Sequence, residues 1–197
     1  MPRRVLIVRH CQSEANAKGM IEGRGDSPLS EEGRRHAQVV AAFVAAQGLT
    51  EARLIASSQV RAIATAAAIS AACGWPVSAH DHRIREGELG WLEERTYEEV
   101  RRLMIERRAS HLDDAAHGGE GEAVVAERFW AALDEAVQAH EGPLVLVSHG
   151  YAIQALLRRL DPAATIPRLL GNGDVVELWL EAGELSEPPK HHPFQGG

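Results

Sequence analysis

Four consecutive apolar residues, Val5-Leu6-Ile7-Val8, constrain this chain more than any other stretch. Such a run, mostly β-branched, reads as a fully buried strand. Polarity changes abruptly at Arg9-His10, so the strand delivers an arginine and a histidine to its own end. In open α/β sheets, ligands bind at that end of the strands.

The pattern returns twice. Leu54-Ile55-Ala56 runs into Ser57-Ser58-Gln59-Val60-Arg61-Ala62 and a helix expected to stop at Gly74. Leu144-Val145-Leu146-Val147 ends in Ser148-His149-Gly150 and leads into a helix reaching about Leu160. Between the first two runs, Ser30 is placed to cap a helix with Glu31 and Glu32 in its first turn and Ala37, Val40, Ala41 and Val44 along one face. Further strands are expected over Pro76 to His80 and Val175 to Leu180, and further helices from about Tyr97 to Arg108 and from about Glu122 to Ala139. Alternating strands and helices predict a three-layer α/β/α fold around a mostly parallel central sheet. The 197 residues suit a single domain over 1–185, with a lid insertion at about 87–121. Residues 186–197, with Pro188, Pro189 and Pro193, are expected to form a loosely ordered tail.

Composition narrows the partners. A formal net charge of −7 argues against nucleic acid, whose binding relies on a basic surface. A local cluster of arginines and histidines can still hold a small anion within an acidic protein. No stretch reaches the roughly 18 apolar residues that cross a bilayer, and no cleavable apolar segment follows Met-Pro-Arg-Arg, so no membrane association and a cytoplasmic location are expected. Cys11 and Cys73 are expected as reduced thiols, and Arg24-Gly25-Asp26 as a chance match to an adhesion tripeptide. His80 and His82 share the spacing of one strand face, yet no carboxylate or cysteine completes a metal set, so no metal is expected.

Three strand ends therefore carry Arg9-His10, Ser57 to Arg61 and His149-Gly150 to one sheet edge. Two arginine forks match phosphate oxygens, and two histidines offer a nucleophile and a donor. Arg61 lies in the first turn of its helix, near unsatisfied backbone N–H groups that favour an anion. This set suits phosphoryl transfer through a phosphohistidine.

These residues resemble the histidine phosphatase superfamily, which includes cofactor-dependent phosphoglycerate mutases. Its Arg-His-Gly signature, with Thr or Ser and then Asn following, is matched by Arg9-His10-Cys11-Gln12-Ser13-Glu14-Ala15-Asn16 except at Cys11. The similarity continues through Asp26 to Ser30, Gly33-Arg34, Ser57-Ser58, Arg61-Ala62, Thr65-Ala66, Arg85-Glu86, Gly90-Trp91, Gly118 to Glu120 and Ser148-His149-Gly150. The resemblance implies that His10 attacks phosphorus, that Arg9, Arg61, His149 and Asn16 hold the phosphoryl oxygens, and that Glu86 protonates the leaving oxygen. It also brings Ser13, Glu22 and Gly150 to the phosphate or substrate. Glu88 is the rival acid, and the Arg-Glu spacing before Gly90-Trp91 favours Glu86. No cofactor is implied, the partner is a small phosphorylated metabolite, and a homodimer is left open.

Two departures stand out. Glu22 precedes Gly23-Arg24 where phosphatase-type relatives commonly have glutamine, and a carboxylate there repels phosphate unless protonated, paired or turned away. Cys11 replaces the glycine beside the nucleophile, which strains the loop only if that position needs a positive φ. Three alternatives are weighed. A cysteine-dependent phosphatase loop needs an arginine where Ala17 stands. Mutase activity goes with longer insertions than this lid, and a degenerate phospho-ligand binding module goes with Cys11 and Glu22. Trp91, Tyr97, Met104, His117 and Trp130 are candidates to line the leaving-group pocket.

Overall fold

The structure, a computed structural model, describes residues 1–106, 118–162 and 170–195. In chain order the elements are β1 (Arg3–Arg9), the single turn α1 (Glu14–Ala17), α2 (Glu31–Ala45), β2 (Arg53–Ser57), α3 (Val60–Cys73), β3 (Val77–Asp81), α4 (Tyr97–Glu106), α5 (Glu122–Ala139), β4 (Leu144–Ser148), α6 (Gly150–Leu160), β5 (Val175–Glu181), β6 (Glu184–Leu185) and β7 (Lys190–His192). Short 3₁₀ turns lie at His82–Ile84 and Gly90–Leu92.

The sheet runs β3-β2-β4-β1-β5-β6, and β7 also pairs with β5. β3, β2, β4 and β1 are mutually parallel, while β5 runs antiparallel to β1. The parallel strands therefore all end at one edge, where the strand-end motifs gather.

All four residues Val5 to Val8 are fully buried, because side chains alternate faces and helices cover both. Leu6 and Val8 join Val145 and Val147 against Val40, Ala41 and Val44 of α2 and Ala62, Ala66 and Ile69 of α3. Val5 and Ile7 join Leu144 and Leu146 against Phe129 and Leu133 of α5 and Ile153 and Leu156 of α6. The first face is the richer in alanine and valine, the second in leucine and aromatic side chains. Ser30 caps α2 by accepting from the Gly33 amide at 2.9 Å, and its hydroxyl donates to Gln12 Oε1 at 2.7 Å. A Cβ at Gly33 would stand 1.9 Å from the Gln12 carbonyl oxygen, so glycine alone lets α2 lie this close to the loop that follows β1.

Two expectations are corrected. Residues 186–197 are not a loose tail throughout: Lys190 to His192 form β7, antiparallel to Val175 to Glu177 of β5. Pro188, Pro189 and Pro193 flank this strand rather than interrupt it, as an edge strand allows. His191 and His192 anchor it through Asp174 (2.8 Å) and Glu177 (3.1 Å). His82 has left β3 for the turn at 82–84, so it does not share a strand face with His80. Within the insertion expected at about 87–121, residues 107–117 lie outside the described residues, and so does the expected helix end at Arg108.

Candidate active site

The register of the sheet assembles the site. Arg9 pairs with Ser148 across β1 and β4, so the residues that follow, His10 and His149, sit side by side with ring centroids 5.0 Å apart. α3 begins three residues after β2 and carries Arg61 under them, 1% exposed, with its Nε 3.3 Å from His10 Nε2. The turn before α2 holds that arginine: the Gly25 carbonyl accepts from Nη1 at 2.7 Å, and Asp26 accepts from the Val60 amide at 2.7 Å, capping α3. Arg24-Gly25-Asp26 thus has a structural task.

His10 Nδ1 lies 2.7 Å from the Cys11 carbonyl, a contact that only an N–H can make favourably. Nε2 therefore bears the lone pair, and the Arg61 Nε–H donates to it. Burial holds the imidazole well below its ordinary pKa, and Arg61 and Arg9 push it the same way, so the ring stays neutral. His149 is neutral for the same reasons, burial first and then Arg61, His10 and Arg9. Its Nε2 is 2.7 Å from Ser57 Oγ, which already accepts from the Gln59 amide at 3.3 Å. Among the described residues, His149 Nδ1 and Arg9 Nε are buried without a hydrogen-bond partner, polar atoms left available beside His10.

Glu86 comes from the opposite side, 8% exposed. Its carboxylate accepts from the amides of Gly87 (3.0 Å), Tyr151 (3.2 Å) and Ala152 (2.9 Å), the last two opening α6. Burial nevertheless outweighs these donors and Arg61, and raises its pKa above the ordinary 4.5. A buried carboxyl whose protonated form is favoured in this way is suited to donating a proton. Its backbone is clamped at both ends: the Glu86 amide donates to Gln59 Oε1 at 2.9 Å, and its carbonyl accepts from Arg128 Nη2 at 3.0 Å. Glu88 is instead tied to Arg85 at 3.2 Å and Arg24 at 3.6 Å, outside the cleft lining.

A cleft of about 370 Å³ joins these groups, lined by Arg9, His10, Asn16, Glu22, Glu86 and Gly150, with Ile21, Leu89, Tyr97, Tyr151 and Gln154 among its further walls. Tyr97 thus lines it, as expected, whereas Trp91 and Trp130 pack against the core. His117 and the Met104 side chain lie outside the described residues. A Cβ on Gly150 would lie 3.3 Å from Arg9 Nε, so glycine lets the guanidinium cross the start of α6.

Ser13 is not on the cleft wall. It is fully buried, caps α1 by accepting from the Asn16 amide at 3.1 Å, and donates to Glu22 at 2.9 Å. Glu22 is paired: Ser27 gives it an amide at 2.6 Å and a hydroxyl at 2.9 Å, and Arg61 Nη1 lies 3.4 Å away. Its charge is met by donors before any substrate arrives. Cys11 is not among the residues with positive φ, so it fits its place without that strain. Burial pushes its thiol up to about 12, which removes the thiolate a cysteine nucleophile needs. Among the described residues, no three histidine, cysteine or acidic side chains are grouped as a metal site would require.

Sequence reasoning missed Gln59, Arg128, Asn172 and Asp174. Arg128 spans the carbonyls of Arg83, Arg85 and Glu86 and pairs with Glu120 at 3.0 Å. Asn172 lines the cleft and donates to the His10 carbonyl at 3.2 Å. Each serves backbone groups distant in sequence and leaves no local pattern.

The family model of the histidine phosphatase superfamily (branch 1) matches residues 5–185. A glucosyl-3-phosphoglycerate phosphatase of Mycolicibacterium vanbaalenii is 36% identical over 192 residues, covering 89% of this chain and 84% of that protein. A probable phosphoglycerate mutase, GpmB, of Serratia proteamaculans is 37% identical over 159 residues, covering 78% of this chain and 72% of that protein. Among solved structures, mycobacterial glucosyl-3-phosphoglycerate phosphatase in complex with VO3 superposes with a TM-score of 0.77 at 27% identity, over 94% of this chain and 98% of that one.

Proposed function

The chain belongs to the histidine phosphatase superfamily, and we propose that within it this protein hydrolyses the phosphomonoester of a small metabolite through a phosphohistidine on His10. The observation that carries this reading is the pairing, across one cleft, of an unprotonated His10 Nε2 with a buried Glu86 of raised pKa.

The Nε2 lone pair attacks phosphorus in line with the ester oxygen, forming the N–P bond as the P–O bond to the alcohol breaks. Glu86 gives its proton to the departing oxygen, so the alcohol leaves neutral. Arg9, Arg61, Asn16 and His149 receive the equatorial oxygens, and their fixed charges and dipoles stabilise the transition state. The Glu86 carboxylate then takes a proton from water as the water oxygen attacks phosphorus. The N–P bond breaks, inorganic phosphate leaves, and both residues return to their starting forms. The free thiols Cys11 and Cys73 fit a cytoplasmic residence, which is part of the same proposal.

Supporting phosphatase over mutase is the glucosyl-3-phosphoglycerate phosphatase relative, which is matched over more of both chains than the probable mutase. Phosphate release from a panel of phosphorylated metabolites, with acid-quench trapping of labelled protein, tests the reading. Turnover and an acid-labile phosphoprotein, both lost in His10→Ala, are expected. An acid-stable phosphocysteine surviving His10→Ala would overturn the mechanism. Isomerisation of 3-phosphoglycerate, with bisphosphoglycerate present, faster than phosphate release would favour the mutase. Phosphate binding without any turnover would make the chain a binding module.

A further inference from the structure

The C-terminal strand reaches the nucleophile loop through one buried aspartate. Asp174, 6% exposed, stands immediately before β5, and both of its carboxylate oxygens accept hydrogen bonds that clasp the chain. Oδ1 accepts from the Phe194 amide at 2.8 Å, and Oδ2 accepts from His191 Nε2 and the Gly171 amide, each at 2.8 Å. Its carbonyl accepts from the Arg9 amide at 2.9 Å, while the Gly173 amide donates to the carbonyls of Arg9 at 3.2 Å and His10 at 3.3 Å. The Leu170 carbonyl accepts from Arg9 Nη1. The segment 170–174 is therefore folded around the catalytic strand end and held from behind by the clasp of β7.

Asn172 projects from that segment toward the cleft. Its Nδ2 donates to the His10 carbonyl at 3.2 Å and to Asn16 Oδ1 at 2.9 Å. Asn16 Oδ1 also accepts from the Ser13 amide at 3.3 Å. With two donors aimed at it, that atom must be the oxygen, so the NH₂ of Asn16 lies on the other arm of the amide. We infer that Asn172 is a positioning residue for the phosphoryl site, fixing the amide of Asn16 as a donor to the anion and the backbone of His10 as a platform, and that Asp174 and His191 hold Asn172 in that place. No substrate contact is assigned to any of the three.

The consequence differs from plain structural support. A residue that only stabilises the fold lowers the melting temperature and leaves the folded fraction with normal constants. Misorientation of Asn16 instead weakens binding of the anion itself, and displacement of a nucleophile by about 1 Å can cost roughly a hundredfold in rate. The inference rests on the proposed phosphatase reading for its turnover arm only, because anion binding can be measured without catalysis.

The experiment compares wild type, Asn172→Ala, Asn172→Asp, His191→Ala and His191→Gln, using the full chain. The Kd of inorganic phosphate is measured by calorimetry, and kcat and KM for an aryl phosphomonoester by release of phenol, all well below each variant's melting temperature. Asn172→Ala is expected to weaken phosphate binding about tenfold and to lower kcat more than it raises KM. Asn172→Asp, which turns acceptors toward two acceptors, is expected to be at least as impaired as Asn172→Ala. His191→Ala is expected to show the same pattern at about a third of the fold-change, and His191→Gln, which keeps an N–H for Asp174, to recover most of it. Folded Asn172→Ala with unchanged phosphate Kd and kcat would overturn the inference, as would a wild type that binds no phosphate. A wild type that binds phosphate but never turns over would fail the phosphatase reading, and the order of the phosphate Kd values would still decide this one.

Discussion

The two faces of the sheet bring two unlike ionisable groups to one edge. From the face packed by α2 and α3, with its small Ala-rich core, comes Arg61, whose guanidinium is held by the Gly25 carbonyl and Glu22. From the face packed by α5 and α6, with its large aromatic and aliphatic core, comes Glu86, held by three amides and, through its own carbonyl, by Arg128. Both groups are buried, yet burial acts on them unequally. A guanidinium keeps its charge even with a lowered pKa, whereas a carboxyl is pushed toward its protonated form. One desolvated site thus brings together a permanent cation and a carboxyl whose ionised form is disfavoured.

Removing the cation is the severest way to break this contrast. Arg61→Ala is expected to lower kcat/KM about a thousandfold for every phosphomonoester, read by steady-state kinetics, since it deletes a preorganised donor and leaves Glu22 without its cation. A loss of tenfold or less would mean that the α3 face matters little to the transition state. Glu86→Gln separates the two groups more finely. It is expected to slow substrates with poor alcohol leaving groups about a hundredfold, and a nitrophenyl ester, which needs little protonation, only a few-fold in the step that releases the alcohol. Equal losses for both substrates would remove Glu86 as the acid.

A smaller effect is expected in the pH dependence of stability, measured by urea unfolding. The folded pKa of Glu86 lies above its unfolded value near 4.5, so its contribution is fully present below that value and is lost as pH rises through the folded one. His10 and His149 have lowered folded values, so theirs is present above the ordinary 6.5 and lost as pH falls through the folded values. Glu86→Gln is therefore expected to flatten the loss on the rising side and leave the acid side unchanged. A profile identical to wild type would contradict the raised pKa. The least effect is expected from Cys11→Gly, which restores the residue usual in the family: about 1–2 kcal/mol of stability lost from a buried side chain, with kcat within about twofold of wild type. A large gain in kcat would show that Cys11 strains the nucleophile loop after all.

Much of this arrangement was legible in the sequence because it is local. Val5 to Val8 and Leu144 to Val147 announce strands whose last residues are the working ones, and Ser30, Ala37, Val40, Ala41 and Val44 describe α2 almost in full. Arg9, His10, Arg61, Glu86 and His149 converge as expected, joined by Asn16 and Gly150 at the cleft. What escaped acts across the chain. Asn172 and Arg128 bind carbonyls 162 and 42 residues away, and no periodicity marks such a partner. Ser13 was expected at the phosphate because it stands in the motif, but its hydroxyl is already committed to Asn16 and Glu22. The prolines near the C-terminus spoke for disorder, while the histidines between them found carboxylates on β5 and beside it.

Gly33 carries a consequence for how such a protein can change. Its missing side chain lets α2 rest on the Gln12 carbonyl, two residues beyond His10, where even a methyl group would stand 1.9 Å from oxygen. In a saturation library, position 33 would tolerate no replacement by degrees: each one drives the helix away from the loop or the loop toward the nucleophile. Evolution can tune this enzyme around its cleft, but along that line of contact it has no small steps to take.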